Sequence, residues 1–279
     1  MRASSECRDC LQRLAHQAAD LATDHESVRA KAVEKGLEVI SDHFSLKAVT
    51  IVIAAKIHDV VKEITGNPDP YREMKDREIA MARELFHEAA QNHGDGFRGS
   101  LKLAALGNAI DFFKPLESVK SDLKKQVEFV IDDSEKFEAK LKSAKKMLYL
   151  ADNAGEVFFD LPLLKYLRKF ARVVYVVKAA PVQNDITADD VKRAGVEAEV
   201  GEMMTTGTAT PGIDFTVASE EFKREFAAAD LVFAKGMGYW ETLSELPAEG
   251  RVFYCLKAKC RPVAASLGVP LDSYVAMLR

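Results

Sequence analysis

The sequence predicts an α/β protein in which a helical N-terminal part is followed by an open, parallel sheet. Apolar residues in the first third of the chain recur at spacings of three and four, which is typical of amphipathic helices. After Lys146 the pattern changes to short apolar runs that are rich in β-branched residues. Helical segments separate these runs, and buried strands alternating with helices favour a parallel sheet.

The predicted helical domain covers residues 1–94, and the predicted α/β domain covers residues 95–279. Four stretches of the first domain have helical spacing: Leu11 to Ala18, Val28 to Phe44, Lys47 to Ile64 and Met74 to Asn92. Two prolines and a glycine interrupt this pattern at Gly66–Pro70. The turn residues Asn92–Gly96 mark the predicted linker between the domains.

Four apolar runs of the second domain are predicted strands: Met147–Ala151, Val173–Val177, Leu231–Ala234 and Val252–Leu256. Phe159–Phe170 and Ala188–Ala194 are predicted helices between them. The stretch that precedes the first strand, Val119–Lys145, is predicted to be helical throughout.

The composition indicates an ordinary folded protein. Hydrophobic residues make up 48% of the 279 residues and charged residues 29%, which argues against extensive disorder. The net charge of -4 gives no electrostatic signature of nucleic-acid binding. No apolar run is long enough for a membrane span, and the first 20 residues lack the apolar core of a signal peptide. We therefore expect a cytoplasmic enzyme, and we leave a homo-oligomer open.

The four cysteines allow more than one interpretation. Cys7 and Cys10 have the spacing of half a zinc site or of a redox pair, whereas Cys255 and Cys260 are spaced more widely than a zinc knuckle. Reduced thiols without a chemical role are the favoured interpretation in a cytosolic protein. We expect Cys7 and Cys10 to be remote from any phosphate chemistry.

Polar residues follow the predicted strands where ligands bind to open parallel sheets. Asp152, Asn153 and Glu156 follow the first strand, and Lys178, Asn184 and Asp185 follow the second. Lys235 and Gly236 follow a later strand, and Lys257 and Lys259 follow the last. Two carboxylates and an amide oxygen suit a hard cation such as Mg²⁺, and lysines with glycines suit a phosphate.

Each cluster also has a structural interpretation. Asp and Asn after a strand are common turn and cap residues. The segment Thr205–Gly212 is either a phosphate or sugar cradle or, as its composition favours, a solvent loop. Asn108 and Asp111 share a helix face and either point into the site or only cap and solvate the helix.

Five motifs taken together resemble the damage-control phosphatases, a family first catalogued as a domain of unknown function. They are D-N-A-G-E at Asp152–Glu156, N-D-I-T at Asn184–Thr187, A-K-G-M-G at Ala234–Gly238, D-P-Y at Asp69–Tyr71 and G-N-A-I-D at Gly107–Asp111. With the N-terminal cysteine pair, the chain is similar to a compact prokaryotic branch of that family, and the resemblance extends over essentially the whole chain.

The resemblance implies a helical N-terminal domain packed on a Rossmann-like domain with an open, mainly parallel sheet. It also implies a phosphatase that depends on a divalent metal, Mg²⁺, Mn²⁺, Co²⁺ or Ni²⁺, and acts on small phosphorylated metabolites. It implies metal ligands at Asp152, Asn153 and Asp185, and it places Lys235 and Gly236 near the phosphate. We assign catalysis to Asp152, Asn153 and Lys235, and substrate binding to five residues: Glu156, Lys178, Asn184, Gly236 and Asn108. The Arg-Thr-x-Lys signature of the branch that acts on sugar phosphates is not visible, which argues against simple sugar phosphates as the main substrates.

Three competing functions were weighed. An S-adenosylmethionine-dependent carboxyl methyltransferase is the first alternative, although the usual glycine-rich loop is not obvious after the first strand. A non-catalytic metabolite-binding protein is the second. A phosphatase that forms an aspartyl-phosphate is disfavoured, because the second acid that this chemistry requires is replaced by Ala154.

Overall fold

Six helices of the described residues precede the first strand of the sheet along the chain. The computed structural model describes residues 1–94, 96–109, 116–247 and 249–279. The first four helices are α1 (Glu6–Ala22), α2 (Glu26–His43), α3 (Thr50–Thr65) and α4 (Arg72–Gln91). They confirm the four predicted helical stretches. The predicted break after α3 is also found, where Gly66 adopts a left-handed conformation with φ of 70° that ends the helix.

A seven-stranded sheet forms the second part of the described chain, and helices cover its two faces. Its strands are β1 (Phe129–Asp132), β2 (Lys146–Leu150), β3 (Arg172–Val177), β4 (Met203–Thr205), β5 (Leu231–Lys235), β6 (Val252–Lys257) and β7 (Tyr274–Leu278). The remaining helices are α5 (Phe97–Ala109), α6 (Leu116–Leu123), α7 (Ser134–Leu141), α8 (Val157–Leu167), α9 (Ala188–Arg193), α10 (Glu197–Val200), α11 (Glu220–Ala228), α12 (Met237–Leu243) and α13 (Arg261–Leu267).

The strand order is β1-β7-β6-β5-β2-β3-β4. Strands β6, β5, β2, β3 and β4 run parallel, whereas β7 pairs antiparallel with β6 and parallel with β1. This arrangement confirms the predicted α/β fold with a mainly parallel sheet. The four predicted strands correspond to β2, β3, β5 and β6.

The prediction of one continuous helix over Val119–Lys145 is wrong. Helix α6 ends at Leu123, strand β1 follows, and the short helix α7 precedes β2. Strand β1 has alternating burial because it lies at the edge of the sheet, so its pattern lacks the continuous apolar run that identified the central strands. Strand β4 contains three residues and was missed, as was β7.

Successive residues of the central strands enter opposite cores. Met147 and Tyr149 of β2 pack with α4, α5 and α8 on one face, whereas Leu148 and Leu150 pack with α11, α12 and α13 on the other. Helices α1, α2 and α3 share a third cluster of their own. Helix α4 therefore shares its core with the sheet, and the predicted boundary near residue 94 stays a prediction. Within the described residues, no helix is long and apolar enough to cross a membrane.

A buried lysine links α4 to the α/β layer. The Nζ atom of Lys75, whose side chain is fully buried, lies 2.8 Å from Asp69 and 3.2 Å from Asp190. Asp190 also accepts hydrogen bonds from the backbone and side chain of Thr187, which caps helix α9. The lysine thus joins the loop before α4 to the helix that follows the β3 exit loop.

We predict that Lys75→Met lowers the free energy of unfolding by about 3 kcal/mol, because it removes a buried cation from Asp69 and from the buried carboxylate of Asp190, which then keeps its ion pair with Arg193. Arg77→Met is the control, because Arg77 lies 3.8 Å from Glu73 at the exposed surface of the same helix. This control should change stability by less than about 1 kcal/mol. Urea unfolding measures both variants, and equal losses would contradict the linking role of Lys75.

Candidate active site

A cleft of about 370 Å³ lies between the carboxyl edge of the sheet and the helices α1, α3 and α4. Its walls include Asp152, Asn153 and Asp185, as the strand-end rule predicts. Two larger cavities, of about 450 and 670 Å³, lie elsewhere and contain none of these three residues. The convergence of the two predicted clusters at one edge of the sheet is therefore confirmed.

Backbone hydrogen bonds hold the loops after β2 and β3 together. The Ile186 amide donates to the Asp152 carbonyl, and the Ala154 amide donates to the Asn184 carbonyl, each over 2.8 Å. Asn153 and Asp185 therefore form an antiparallel bridge beyond the ends of two parallel strands. Asn153 remains extended, and a tight 3-10 turn follows at Ala154–Glu156. The chain therefore bends directly after Asn153.

Two side-chain amides connect Asp152 with Glu156 at the sheet edge of the cleft. The part of this edge that lines the cleft, formed by Asp152, Asn153 and Asp185, is here called the floor. The Nδ2 atom of Asn108 donates to Asp152 Oδ2 over 2.8 Å and to Glu156 Oε1 over 3.0 Å. The Nδ2 atom of Asn153 donates to Glu156 Oε1 over 2.6 Å and to Asp152 Oδ2 over 3.3 Å. Because Nδ2 of Asn153 is engaged with these carboxylates, its Oδ1 is the side-chain atom available to a cation.

Buried lysines lie behind the floor. Lys235 Nζ contacts Glu156 Oε2 over 2.6 Å and also pairs with Asp160, and its side chain is fully buried. Lys178 Nζ donates to the Gly212 carbonyl over 2.6 Å and lies 3.4 Å from Asp185 Oδ2. Both ammonium groups are thus engaged with protein groups.

The predicted substrate-binding residues consequently divide into two sets. Asn108 and Asn184 line the cleft together with the three predicted metal ligands. The other members, and the predicted catalytic lysine, lie behind the wall: Glu156, Lys178, Lys235 and Gly236. Direct contact between these four residues and a substrate stays a prediction.

Burial and neighbouring carboxylates raise the pKa values of Asp152 and Asp185. Burial, then the charges of Glu156 and Asp185, raises the pKa of Asp152 well above its ordinary value, against the opposing effect of Lys259 and Lys235. Burial also raises the pKa of Asp185 to about 6, although Lys178 acts to lower it. The floor therefore concentrates negative charge that the protein neutralises only in part.

The pKa of Lys235 is raised as well, but for a lysine a raised pKa favours the charged form. Burial acts to lower its pKa, but the carboxylates of Asp160 and Glu156 outweigh burial and raise it. Its ammonium group therefore stays charged beneath the floor. It offsets the charges of Glu156 and Asp160, whereas among the described residues the two side-chain donors that reach Asp152 are neutral amides.

Other cleft residues were not assigned from the sequence. Glu78 of α4 accepts a hydrogen bond from Asn184 over 3.2 Å, and burial raises the pKa of Glu78 to about 8. Lys259, an exposed residue after β6, lines the cleft together with Glu241 of α12. Lys259 could be found from its position after a strand, whereas Glu78 and Glu241 lie on helices whose patterns carry no such signal.

Two further expectations need correction. Cys10 lines the cleft, so the expectation that it is remote from the predicted site is wrong: helix α1 crosses above the sheet edge. The segment Thr205–Gly212 is not a simple solvent loop, because Thr206 and Thr210 are buried and Gly212 lines the cleft. Asp111, predicted to share a helix face with Asn108, lies outside the described residues.

The donor set fits a hard divalent cation. In the described part of the chain, no group of three or more His, Cys, Asp and Glu side chains is arranged to hold a metal. The predicted site instead combines the carboxylates of Asp152 and Asp185 with the amide oxygen of Asn153, which are ligands that Mg²⁺ and similar ions accept. The charge of Asp152, which Lys235 and Lys259 offset only in part, would favour a cation at this position.

Gly236 makes this crowded floor sterically feasible. It has φ of 84° and ψ of 171°, a conformation that is essentially confined to glycine. A Cβ atom at this position would lie 2.0 Å from Asp152 Oδ2. The absence of a side chain at residue 236 therefore leaves the space that the Asp152 carboxylate occupies.

Fold and site together define a Rossmann-like α/β protein with an acidic, amide-lined ligand cleft beneath a layer of helices. The model of the damage-control phosphatase ARMT1-like domain matches residues 3–275 of this chain. The chain therefore belongs to that family.

Similar proteins support this assignment over the full length. A damage-control phosphatase of Pyrococcus horikoshii is 34% identical, with 99% of this chain and 98% of the relative covered. One from Archaeoglobus fulgidus is 33% identical, with 99% of each chain covered. A crystal structure of a DUF89 family protein from Pyrococcus horikoshii matches with a TM-score of 0.91 at 33% identity, covering 100% of this chain and 99% of the other.

We predict that Gly236→Ala lowers the free energy of unfolding by at least about 3 kcal/mol, because backbone strain adds to the displacement of the Asp152 carboxylate. Gly66→Ala is the control: Gly66 also has positive φ, but a Cβ atom there would meet nothing within 4 Å. The control should lose about 1 kcal/mol. Urea unfolding distinguishes them, and similar losses would show that the Asp152 contact contributes nothing.

Proposed function

We propose that this protein is a divalent-metal-dependent phosphatase that hydrolyses phosphate esters of small metabolites, namely damaged or surplus phosphometabolites. The observation that carries the proposal is the floor of Asp152, Asn153 and Asp185 in a ligand-sized cleft, whose acidic charge the nearby lysines neutralise only in part. The names of the relatives, damage-control phosphatases, support the same class of reaction.

Asp152, Asn153 and Asp185 would hold the cation, with Mg²⁺, Mn²⁺, Co²⁺ and Ni²⁺ as the candidates. Once bound, a divalent ion supplies a Lewis acid and a counter-charge for the phosphoryl group. Asn108 positions the ligands, since its amide binds Asp152 while its Oδ1 accepts from the Lys257 backbone amide over 3.3 Å. Lys235 positions Glu156 from beneath, so that Glu156 in turn orients both amides.

Lys259 is the cation best placed to bind the phosphate. Its side chain is exposed and lines the cleft, and its charge acts to lower the pKa values of Asp152 and Glu78. The other two lysines of the site, Lys178 and Lys235, are buried and paired. We therefore propose that Lys259 orients the ester, and that Lys178 and Lys235 maintain the geometry of the floor.

A metal-stripped sample tests the proposed reaction. It is assayed against a panel of phosphate esters, with each divalent ion added back separately. Phosphate release that disappears in chelator and returns with Mn²⁺ or Co²⁺ supports the proposal. Full activity in chelator contradicts the metal requirement. Methyl transfer from S-adenosylmethionine without phosphate release, or tight metabolite binding without turnover under any ion, would favour the competing functions.

We predict that Asp152→Asn lowers the rate at least about 100-fold, near 2.7 kcal/mol of transition-state stabilisation, because it removes a charged ligand at nearly constant shape. Its stability in chelator should not fall, since the native environment disfavours the charged form of Asp152. Asp185→Ala should cause a similar rate loss, and the double variant should be far from additive because both residues serve one ion.

Asp189→Asn is the matched control for the charge change. Asp189 follows Asp185 closely in the chain, but its side chain is 62% exposed and pairs with Arg72 and Arg193. The rate of this variant should stay within about twofold, a small barrier change. Steady-state phosphate release and Mn²⁺ titration measure all four variants, and an Asp152→Asn protein with full activity would refute the ligand assignment.

A further inference from the structure

The two walls of the cleft differ in chemistry. The sheet edge contributes the acids and amides described above. The helices contribute the rest of the lining, here called the roof; it comes from α1, α3 and the start of α12, and its hydrocarbon surface consists of Leu11, Leu14, Ile51, Ala54 and Met237. A phosphate held at the floor would direct the rest of its ester toward this roof.

Leu11 and Ala54 of the roof belong to the core cluster of α1, α2 and α3, whereas the other three roof residues are not simply part of the core. Ile51 is buried, yet among the described residues it belongs to none of the three hydrophobic clusters. Leu14 and Met237 pack against clusters but remain partly exposed. Their remaining surface lines the cleft, so hydrocarbon is available for contact with a ligand.

The polar groups of the roof are few. They are the thiol of Cys10, the hydroxyl of Thr50 and the carboxyl of Glu241. A polyol placed here would bury hydroxyl groups against Leu14 and Ile51, and a buried hydroxyl without a partner is costly. An alkyl or aryl group would instead gain from removal of its surface from water.

We propose that the roof selects the leaving group, so that the cleft prefers phosphate esters of alcohols with an alkyl or aryl portion over polyhydroxylated sugar phosphates. The inference rests on the proposed phosphatase function, because it uses the floor to hold the phosphate. It assigns a separate task to the helical layer: α1 and α3 determine which ester is bound.

The first test compares hexyl phosphate with glucitol 6-phosphate, which have carbon chains of equal length. We expect kcat/KM to be at least about tenfold higher for hexyl phosphate, mainly through a lower KM, since each buried methylene contributes about 0.8 kcal/mol. Equal or faster hydrolysis of glucitol 6-phosphate overturns the inference and leaves the phosphatase function standing. Absence of hydrolysis with every ester and ion overturns the phosphatase function instead.

The second test needs no turnover. Calorimetry in the presence of Mn²⁺ compares hexylphosphonate with methylphosphonate, and we expect hexylphosphonate to bind the unaltered protein at least about tenfold more tightly. Leu14→Gln should reduce this ratio at least threefold, about 0.6 kcal/mol. Leu21→Gln is the matched control on the same helix, since Leu21 is exposed and does not line the cleft, and it should keep the ratio.

Thr50→Val is a second variant, and its expected effect on binding is one that misfolding would not produce. It keeps the branched shape of the side chain and removes the roof hydroxyl, so the hexylphosphonate ratio should rise by about twofold. Damage to the fold would not strengthen binding. Equal binding of the two phosphonates by the unaltered protein overturns the inference, as does a ratio that neither Leu14→Gln nor Thr50→Val changes.

Discussion

Negative charge collected at the carboxyl edge of the sheet is the constraint on which the rest of this structure depends. Carboxylates of Asp152, Glu156, Asp160 and Asp185 are brought together in a region that largely excludes water. Such a group is stable only with nearby cations and hydrogen-bond donors. Buried lysines behind the floor provide part of that compensation, and the amides of two asparagines provide more.

This compensation is unevenly distributed. Lys235 lies between Glu156 and Asp160, and Lys178 lies near Asp185. Tyr175 donates to Asp160 Oδ2 over 3.1 Å, which satisfies the deepest acid further. Asp152 receives only amide donors on its side chain from the described residues, so the least neutralised of these four carboxylates is among those that line the cleft. The protein thus concentrates its electrostatic imbalance where a ligand can reach it.

The sequence predicted the centre of the sheet well and its periphery poorly, for a physical reason. Strands β2, β3 and β5 are covered on both faces, so each is a continuous apolar run. In β1 only alternate residues face the core, and Val130 is 58% exposed, which leaves no such run. Strand β7 departs from the alternation of strands and helices in a parallel sheet, because it runs antiparallel to β6.

The candidate site was predictable to a similar extent. Asp152, Asn153 and Asp185 follow strands, and topology alone brings strand ends together. Glu78, Leu14 and Ile51 come from helices in the layer above, where an apolar or acidic residue at helical spacing is indistinguishable from a core or surface position. No local pattern indicates which helix face will cover a sheet edge. That information is contained in the packing of the helices on the sheet.

The bridge between the loops after β2 and β3 has a consequence for how this molecule can change over evolutionary time. Paired amides and carbonyls fix the lengths of both loops relative to each other, so an insertion in one would break its register with the other. Helices α1 and α3 carry no such mutual restriction where they face the cleft. New specificities would therefore arise by side-chain replacement in the helical layer, while the two bridged loops stay constant in length.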